Sequence, residues 1–336
     1  MKEMTASDRF RAVIRREPMD RLPVMEWAPW WHLTVNRWRE EGVPEASLHQ
    51  HTLQRYFGLD GCLQFYVSQR TAQTPQPKYS GGPLAETEAE YLEVRKTLFP
   101  DPGAYFTREN LAPWRKIQEA GDTVLFFTME GFFWHPRTIF GIEPHLYSFY
   151  DEPELYHMMC RDMADWQKKA IEALGNSGFR FDFMTFAEDM SYNNGPMISH
   201  DSFTEFLTPY YNEICPLLHQ LEIPIIIDSD GDITKAVDWY REVGADGMLP
   251  LERQAGVDVS LYLDKHPDMT FIGHFDKMCM KFGEEAMTAE FERLLPSMKR
   301  GGFIPSVDHQ TPPDVSVENY RIYVSLLKRY AAEAVR

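Results

Sequence analysis

Ile223-Pro224-Ile225-Ile226-Ile227, running straight into Asp228-Ser229-Asp230-Gly231-Asp232, is the stretch on which the fold turns. A run apolar on both sides of an extended chain reads as a strand buried on both faces, as in a parallel sheet covered by helices. Phe303 to Val307 repeats the pattern and ends in Asp308-His309. Working outward, further strands are expected over residues 22–25, ending at Glu26, and over 62–67. Others fall at 123–129, ending at Glu130-Gly131, and at 181–186, ending at Glu188-Asp189. The last two fall at 247–251, ending at Glu252, and at 270–273, ending at His274-Phe275-Asp276.

Helical patterns separate these runs. The first helix opens at Thr5, with Asp8 three residues on as in a weak capping box. Leu155, Met159, Met163 and Trp166 share one face of another. Asp232 is placed to cap a helix carrying Ile233, Val237 and Tyr240, and Gly244 to end it. Ser316 is placed to cap a helix carrying Val317, Tyr320, Val324 and Leu327. Eight strands alternating with helices predict an α/β chain forming a (β/α)8 TIM barrel as a single domain over residues 1–336. A doubly wound sheet also alternates, but Gly-x-Gly-x-x-Gly and P-loop turns are absent from the sequence. Residues 68–121, rich in Pro, Gly and charge, read as an excursion and a candidate lid.

The 336 residues and 43% hydrophobic content suffice for a large core. A net charge of -17 argues against a nucleic-acid partner, which needs basic surface. No apolar run reaches the ~18 residues of a membrane span, and the first residues have no apolar signal core. No membrane association and a cytoplasmic location are the expectations. The four cysteines, Cys62, Cys160, Cys215 and Cys279, form no Cys-x-x-Cys pair. They read as buried apolar residues rather than as disulfides or a thiolate zinc site.

In a (β/α)8 barrel the active site lies at the C-terminal ends of the strands, where these acids and histidines fall. Asp228 and Asp230, two apart on an extended chain, face the same way. They suit a metal or a substrate, while Asp232 suits a helix cap equally well. His309 suits acid/base work or metal ligation, against a loop histidine bonded to backbone. Glu188 is either a site carboxylate or a buried salt-bridge partner. Glu130 is either substrate-binding or structural. The loop with Tyr192 and Asn194 offers aromatic and amide groups to a small molecule. Trp27, Trp30 and Trp31 either wall a pocket or fill the core.

The opening Asp8-Arg9-Phe10 helix and Glu17-Pro18-Met19-Asp20-Arg21-Leu22-Pro23-Val24 resemble the start of the uroporphyrinogen decarboxylase superfamily. So do Met129-Glu130-Gly131, the stretch from Phe186 to Pro209-Tyr210, and the ending Gly301-Gly302-Phe303-Ile304, His309, Pro312-Pro313 and Val317-Glu318-Asn319. The resemblance spans nearly the whole chain and implies a (β/α)8 barrel. It implies one of two activities: cofactor-free decarboxylation of uroporphyrinogen, or zinc-dependent methyl transfer involving corrinoid proteins.

Decarboxylases of this superfamily carry Arg-Gln-Ala-Gly-Arg after the first strand. Here Trp27-Ala28-Pro29-Trp30-Trp31 stands there. Their second strand ends in an aspartate, where this chain has Phe65-Tyr66-Val67-Ser68, and their tyrosine before Glu-Gly is Phe127. An eight-carboxylate substrate needs cations to meet it. The methyltransferases bind zinc through His-x-Cys and a later Cys, at the positions of Asp228, Asp230 and His309. The resemblance therefore implies a methyltransferase moving a methyl group from a small methoxylated aromatic or methylamine to a corrinoid carried by a partner protein. Glu188, Asp228, Asp230 and His309 are its metal set, with zinc the expected ion. Asp230 and His309 are its catalytic pair, and Trp30, Glu130, Tyr192 and Asn194 bind substrate. A carboxy-lyase of tetrapyrrole metabolism and a non-catalytic corrinoid- or tetrapyrrole-binding protein are the alternatives.

Overall fold

Seven strands form one all-parallel sheet in the computed structural model, which describes residues 3–335. They are β1 (Gly61–Tyr66), β2 (Thr123–Glu130), β3 (Phe183–Ala187), β4 (Ile225–Asp228), β5 (Gly247–Leu249), β6 (Thr270–Phe275) and β7 (Phe303–Val307). They are hydrogen-bonded in chain order. Every position of β6 and β7 is buried, and all but the last of β2. This is why the runs carry no apolar/polar alternation.

Parallel register lines up the strand ends. Glu130 pairs with Ala187, Ala187 with Asp228, and Asp228 with Leu249. The acids that end the apolar runs therefore share one edge of the sheet.

Helices fill the crossovers, the longest being Pro153–Ser177 between β2 and β3. Thr5 caps Ala6–Arg15 by accepting from the Asp8 N–H, and Ser316 caps Val317–Glu333 by accepting from the Asn319 N–H. Asp232 caps no helix. Its carboxylate accepts from the Thr234 N–H in a turn, and the helix starts later, at Ala236–Glu242. The stretch 68–121 holds the helices Glu88–Arg95 and Arg108–Ala120, the second packed on β2.

The expected first strand is a correction. Residues 22–25 are buried yet join no ladder. Pro23 has no N–H to give a neighbour. Side chains and isolated backbone bonds hold the segment instead. Val24 donates to Asp60 Oδ2 at 2.8 Å and accepts from the Asp60 N–H, just before β1. On the other side Glu26 Oε2 accepts from Ser306 Oγ at 2.6 Å and from the Val307 N–H at 3.2 Å, both in β7. The segment thus bridges the two edge strands where an eighth strand would stand. The sheet itself has seven.

Trp30 is a second correction. It is 8% exposed and packs edge-on against Trp38 and Tyr320 at 6.0 and 5.9 Å. The apolar surface of this indole is spent in the core rather than on a ligand.

Asp60 also receives Arg21 through two contacts of 2.7 and 2.6 Å. Asp60→Ala removes the shared acceptor of Arg21 and Val24. It should lower unfolding free energy by about 2–4 kcal/mol in urea titration.

Glu26 tests the other side of the bridge. Burial pushes its carboxyl up to about 7, against the hydrogen bonds that favour the charged form. The folded chain then binds a proton between pH ~4.5 and 7 that the unfolded chain has released, so stability falls as pH rises through that window. His145 and His274, pushed down by burial to about 3 and about 4, act in the opposite sense. Wild-type stability alone therefore blurs the effect. Glu26→Gln relative to wild type isolates it: the variant should gain on wild type as pH goes from 5 to 7.5, read by thermal denaturation. A difference constant over that range would show that Glu26 does not titrate there.

Candidate active site at the strand ends

A cavity of about 290 Å³ opens at the C-terminal ends of β1, β2, β3 and β4. Its wall includes Tyr66, Gln69, Glu130, Trp134, Asp189 and Asp228, and no Lys or Arg among the described residues lines it. A larger cleft of about 460 Å³ is lined by Arg11, Asp182 and Pro224, at the N-terminal ends of the strands. In parallel α/β sheets that end serves stability, and chemistry belongs to the other.

Beside the cavity two groups of ligand-capable side chains meet. Donor atoms of Asp189, Asp228 and Asp230 lie within 4.8 Å of one another, and so do those of Asp230, Glu252 and His309. His309 Nε2 is 3.6 Å from Asp230 Oδ2, with both side chains about one third exposed. Backbone amides hold the cluster in place. Asp189 Oδ1 accepts from the Asp230 N–H at 3.2 Å, and Glu252 Oε2 from the Gly231 N–H at 3.1 Å. Gly231 has φ +80°, and a Cβ there would meet Ser191 and Tyr192 backbone at 2.8–2.9 Å. Only glycine lets the Asp228–Asp232 loop pack so closely. Asp189 itself has φ 41°, a left-handed position that Asp tolerates better than most residues and that recurs at functional sites.

The electrostatics follow from the crowding. Burial, then the charges of Asp189 and Asp230, pushes Asp228 far above the usual carboxylate range. Burial, then Asp189 and Glu252, raises Asp230, and burial raises Asp189. Burial also lowers His309, so its ring favours the neutral form that can ligate or accept a proton. Asp308, fully buried, is pushed by burial to about 6 against the pull of Lys277, whose Nζ is 3.2 Å away. The same Nζ is 3.7 Å from Glu252. Among the described residues, no Lys or Arg pairs with Asp228 or Asp230 so closely. They must take up protons or a positive ion.

The structure thus brings Asp228, Asp230 and His309 together and separates Glu188 from them. Glu188 is fully buried, and its two oxygens accept the N–H groups of Phe132, Phe133 and Trp134 at 2.8–3.0 Å and the Tyr211 hydroxyl. A carboxylate so used anchors the start of helix Trp134–Phe140 and has no lone pair aimed at the cluster. It leaves the expected metal set. Gly131 makes room for it, since a Cβ there would collide with the Glu188 carboxylate.

Glu130 lines the cavity, with Gln69 Nε2 donating to it at 2.5 Å. Tyr192 and Asn194 sit on an exposed hairpin, Ser191–Tyr192 paired with Gly195–Pro196, and neither lines the cavity. Trp27, rather than Trp30, approaches the cluster, its ring 6.4 Å from that of His309. Asp189 and Glu252 are cluster members that the sequence reading left outside its metal set. Both end apolar runs, which is the signal that could have found them. None of the cysteines belongs to either group, and Cys62, Cys160 and Cys215 are buried. No helix among the described residues is long and apolar enough to cross a membrane.

Three comparisons place the chain. Its fold resembles that of a methyltransferase from Methanosarcina mazei, with a TM-score of 0.66 over 98% of this chain and 99% of that one. Sequence identity there is 14%, so the likeness concerns the fold alone. A uroporphyrinogen decarboxylase from Campylobacter hominis is 24% identical over 188 residues. Those residues make up 53% of this chain and 50% of that protein, so the chain spans about half the length of the curated relative it matches. The family model of uroporphyrinogen decarboxylase (URO-D) matches residues 139–330, more than half of the sequence and including β3 to β7 with their acidic ends, and the chain belongs to that family.

Proposed function

We propose that this protein is a methyltransferase of the uroporphyrinogen decarboxylase superfamily. It would move a methyl group from a small donor to a corrinoid protein, with a divalent metal such as zinc assisting. The observation that carries the reading is the convergence of Asp230, Glu252 and His309, flanked by Asp189 and Asp228. The donor set fits such an ion. Imidazole and carboxylate oxygen are ordinary zinc ligands, three protein ligands leave a position for substrate, and Asp228 and Asp230 are the least compensated of the crowded carboxylates. When bound, the metal would supply a Lewis acid at the strand ends, polarising the atom that gives up the methyl group.

The chain's own residues do the rest. Asp189 and Asp228 set the charge of the wall between cluster and cavity. His309, kept neutral by burial, would offer a ring nitrogen to the metal. The cavity also argues against the macrocyclic substrate. At about 290 Å³ it is no larger than the smallest drug-sized pockets, and it presents carboxylates where eight substrate carboxylates would need cations.

A second reading, a carboxy-lyase acting on a smaller acid with His309 as proton donor, is favoured by the description of the family and of the Campylobacter relative. Loss of carbon dioxide from a porphyrinogen or small acid, abolished by His309→Ala, would select it.

Metal analysis of the purified protein tests the first reading. About one zinc per chain is expected, lost in Asp230→Ala/His309→Ala and retained in Glu188→Gln. Glu188→Gln should cost about 1–3 kcal/mol of stability through its helix-anchoring role, with metal content unchanged. No stoichiometric metal in wild type would remove the metal from the proposal. Methyl transfer from methylamines and methoxylated aromatics to a corrinoid protein, followed by the corrinoid absorbance, tests the reaction itself.

A further inference from the structure

The cavity beside the cluster has a chemistry of its own. Three carboxylates line it, those of Glu130, Asp189 and Asp228. Two guanidinium groups neighbour these acids from outside the lining. Arg70 Nε is 3.9 Å from Glu130 Oε1, and Arg137 donates to the Asp189 carbonyl at 3.2 Å while stacking on Trp134 at 4.8 Å. The carboxyl groups of the wall thus outnumber the guanidinium groups beside it, and no described Lys or Arg is in the lining. A pocket walled by acids favours a cation over an anion.

An independent observation points the same way. Gln69 lines the cavity and is 1% exposed. Its Nε2 donates to Glu130, while its Oε1 is buried with no partner among the described residues. Buried amide oxygens in folded proteins are almost always paired, so an orphan beside a cavity leaves an acceptor open to a ligand's donor. Tyr66 stands at the mouth, 65% exposed, with an aromatic face suited to a cation. A ligand that is small, positive and carries N–H donors meets all of these demands at once.

We propose that this cavity binds the ammonium end of a small protonated amine, with Glu130, Asp189 and Asp228 as counter-charges and Gln69 Oε1 accepting one N–H. The amine's service as handle of the methyl donor rests on the methyl-transfer reading; its binding does not. The group to be demethylated then extends toward Asp230 and His309, because Asp189 and Asp228 belong to both the cavity wall and the cluster.

Calorimetric titration of the chelator-treated protein provides the test, with dimethylammonium, tetramethylammonium, anisole and acetate as probes. Dimethylammonium should bind, and anisole and acetate should not. Tetramethylammonium, which keeps the charge and lacks the N–H, should bind roughly 5-fold more weakly. Gln69→Met should weaken dimethylammonium about 5-fold and leave tetramethylammonium unchanged. If that variant does not fold, the probe series on wild type decides. Zinc should still bind to the dimethylammonium-saturated protein, since Asp230, Glu252 and His309 remain free. Absence of dimethylammonium binding, preference for anisole or acetate, or displacement of dimethylammonium by zinc would overturn the proposal. Ammonium binding without methyl transfer would overturn only the methyl-transfer reading. Methyl transfer from anisole without ammonium binding would overturn only this inference.

Discussion

Like charge held together at the C-terminal ends of the strands is the constraint to which the rest of the structure answers. Parallel register puts Glu130, Asp189, Asp228, Asp230, Glu252 and Asp308 along one edge. Two unit charges 4 Å apart at an effective dielectric of 20 repel by about 4 kcal/mol, so such a row cannot stand fully ionised without help. Lys277 serves Asp308 and Glu252. Backbone N–H groups serve Asp189, Glu252 and Asp308. Arg70 and Arg137 approach Glu130 and Asp189. Asp228 and Asp230 receive the least, and burial weighs on both. A protein that places its least compensated acids where the sheet opens to a cavity is holding free energy that a bound cation would release.

Much of the fold was legible because a parallel strand buried on both faces has a plain signature. Seven of the eight expected runs join the sheet, with ends moved by a few residues. The eighth, residues 22–25, is as apolar as the rest, but Pro23 and the side chains of Asp60 and Glu26 replace the backbone ladder. Apolarity reports burial, not pairing. Asp232 and Trp30 failed for similar reasons. An Asp before a helix caps equally well a turn inside the preceding loop, and a tryptophan at a strand end is as useful between helices as in a pocket.

The site was legible in part. Asp228, Asp230 and His309 lie together because each follows an apolar run in a sheet whose strands share one direction. Glu188 and Asp189 end the same run, and the sequence has no way to say which one faces the cluster. Backbone geometry decides. The Glu188 N–H and the Asp189 N–H both turn to the Asp228 carbonyl, and the chain then enters the left-handed region at Asp189. That turn sends Glu188 inward to the amides of residues 132–134 and leaves Asp189 beside Asp230. Gly131 and Gly231 are the local permissions, one admitting the Glu188 carboxylate and the other the loop of Asp230.

The buried glutamate and the strained aspartate are therefore two halves of one device. Glu188 fixes the start of helix Trp134–Phe140, which carries Trp134 into the cavity wall. Asp189 carries the negative charge of that wall across to the cluster at Asp230. Cavity and cluster share Asp189 and Asp228, so positive charge placed in either one eases the ionisation of acids in the other. The two compartments are coupled by charge through the acids they share. A ligand that fills the cavity thereby alters the electrostatics around His309 and Asp230 without touching them.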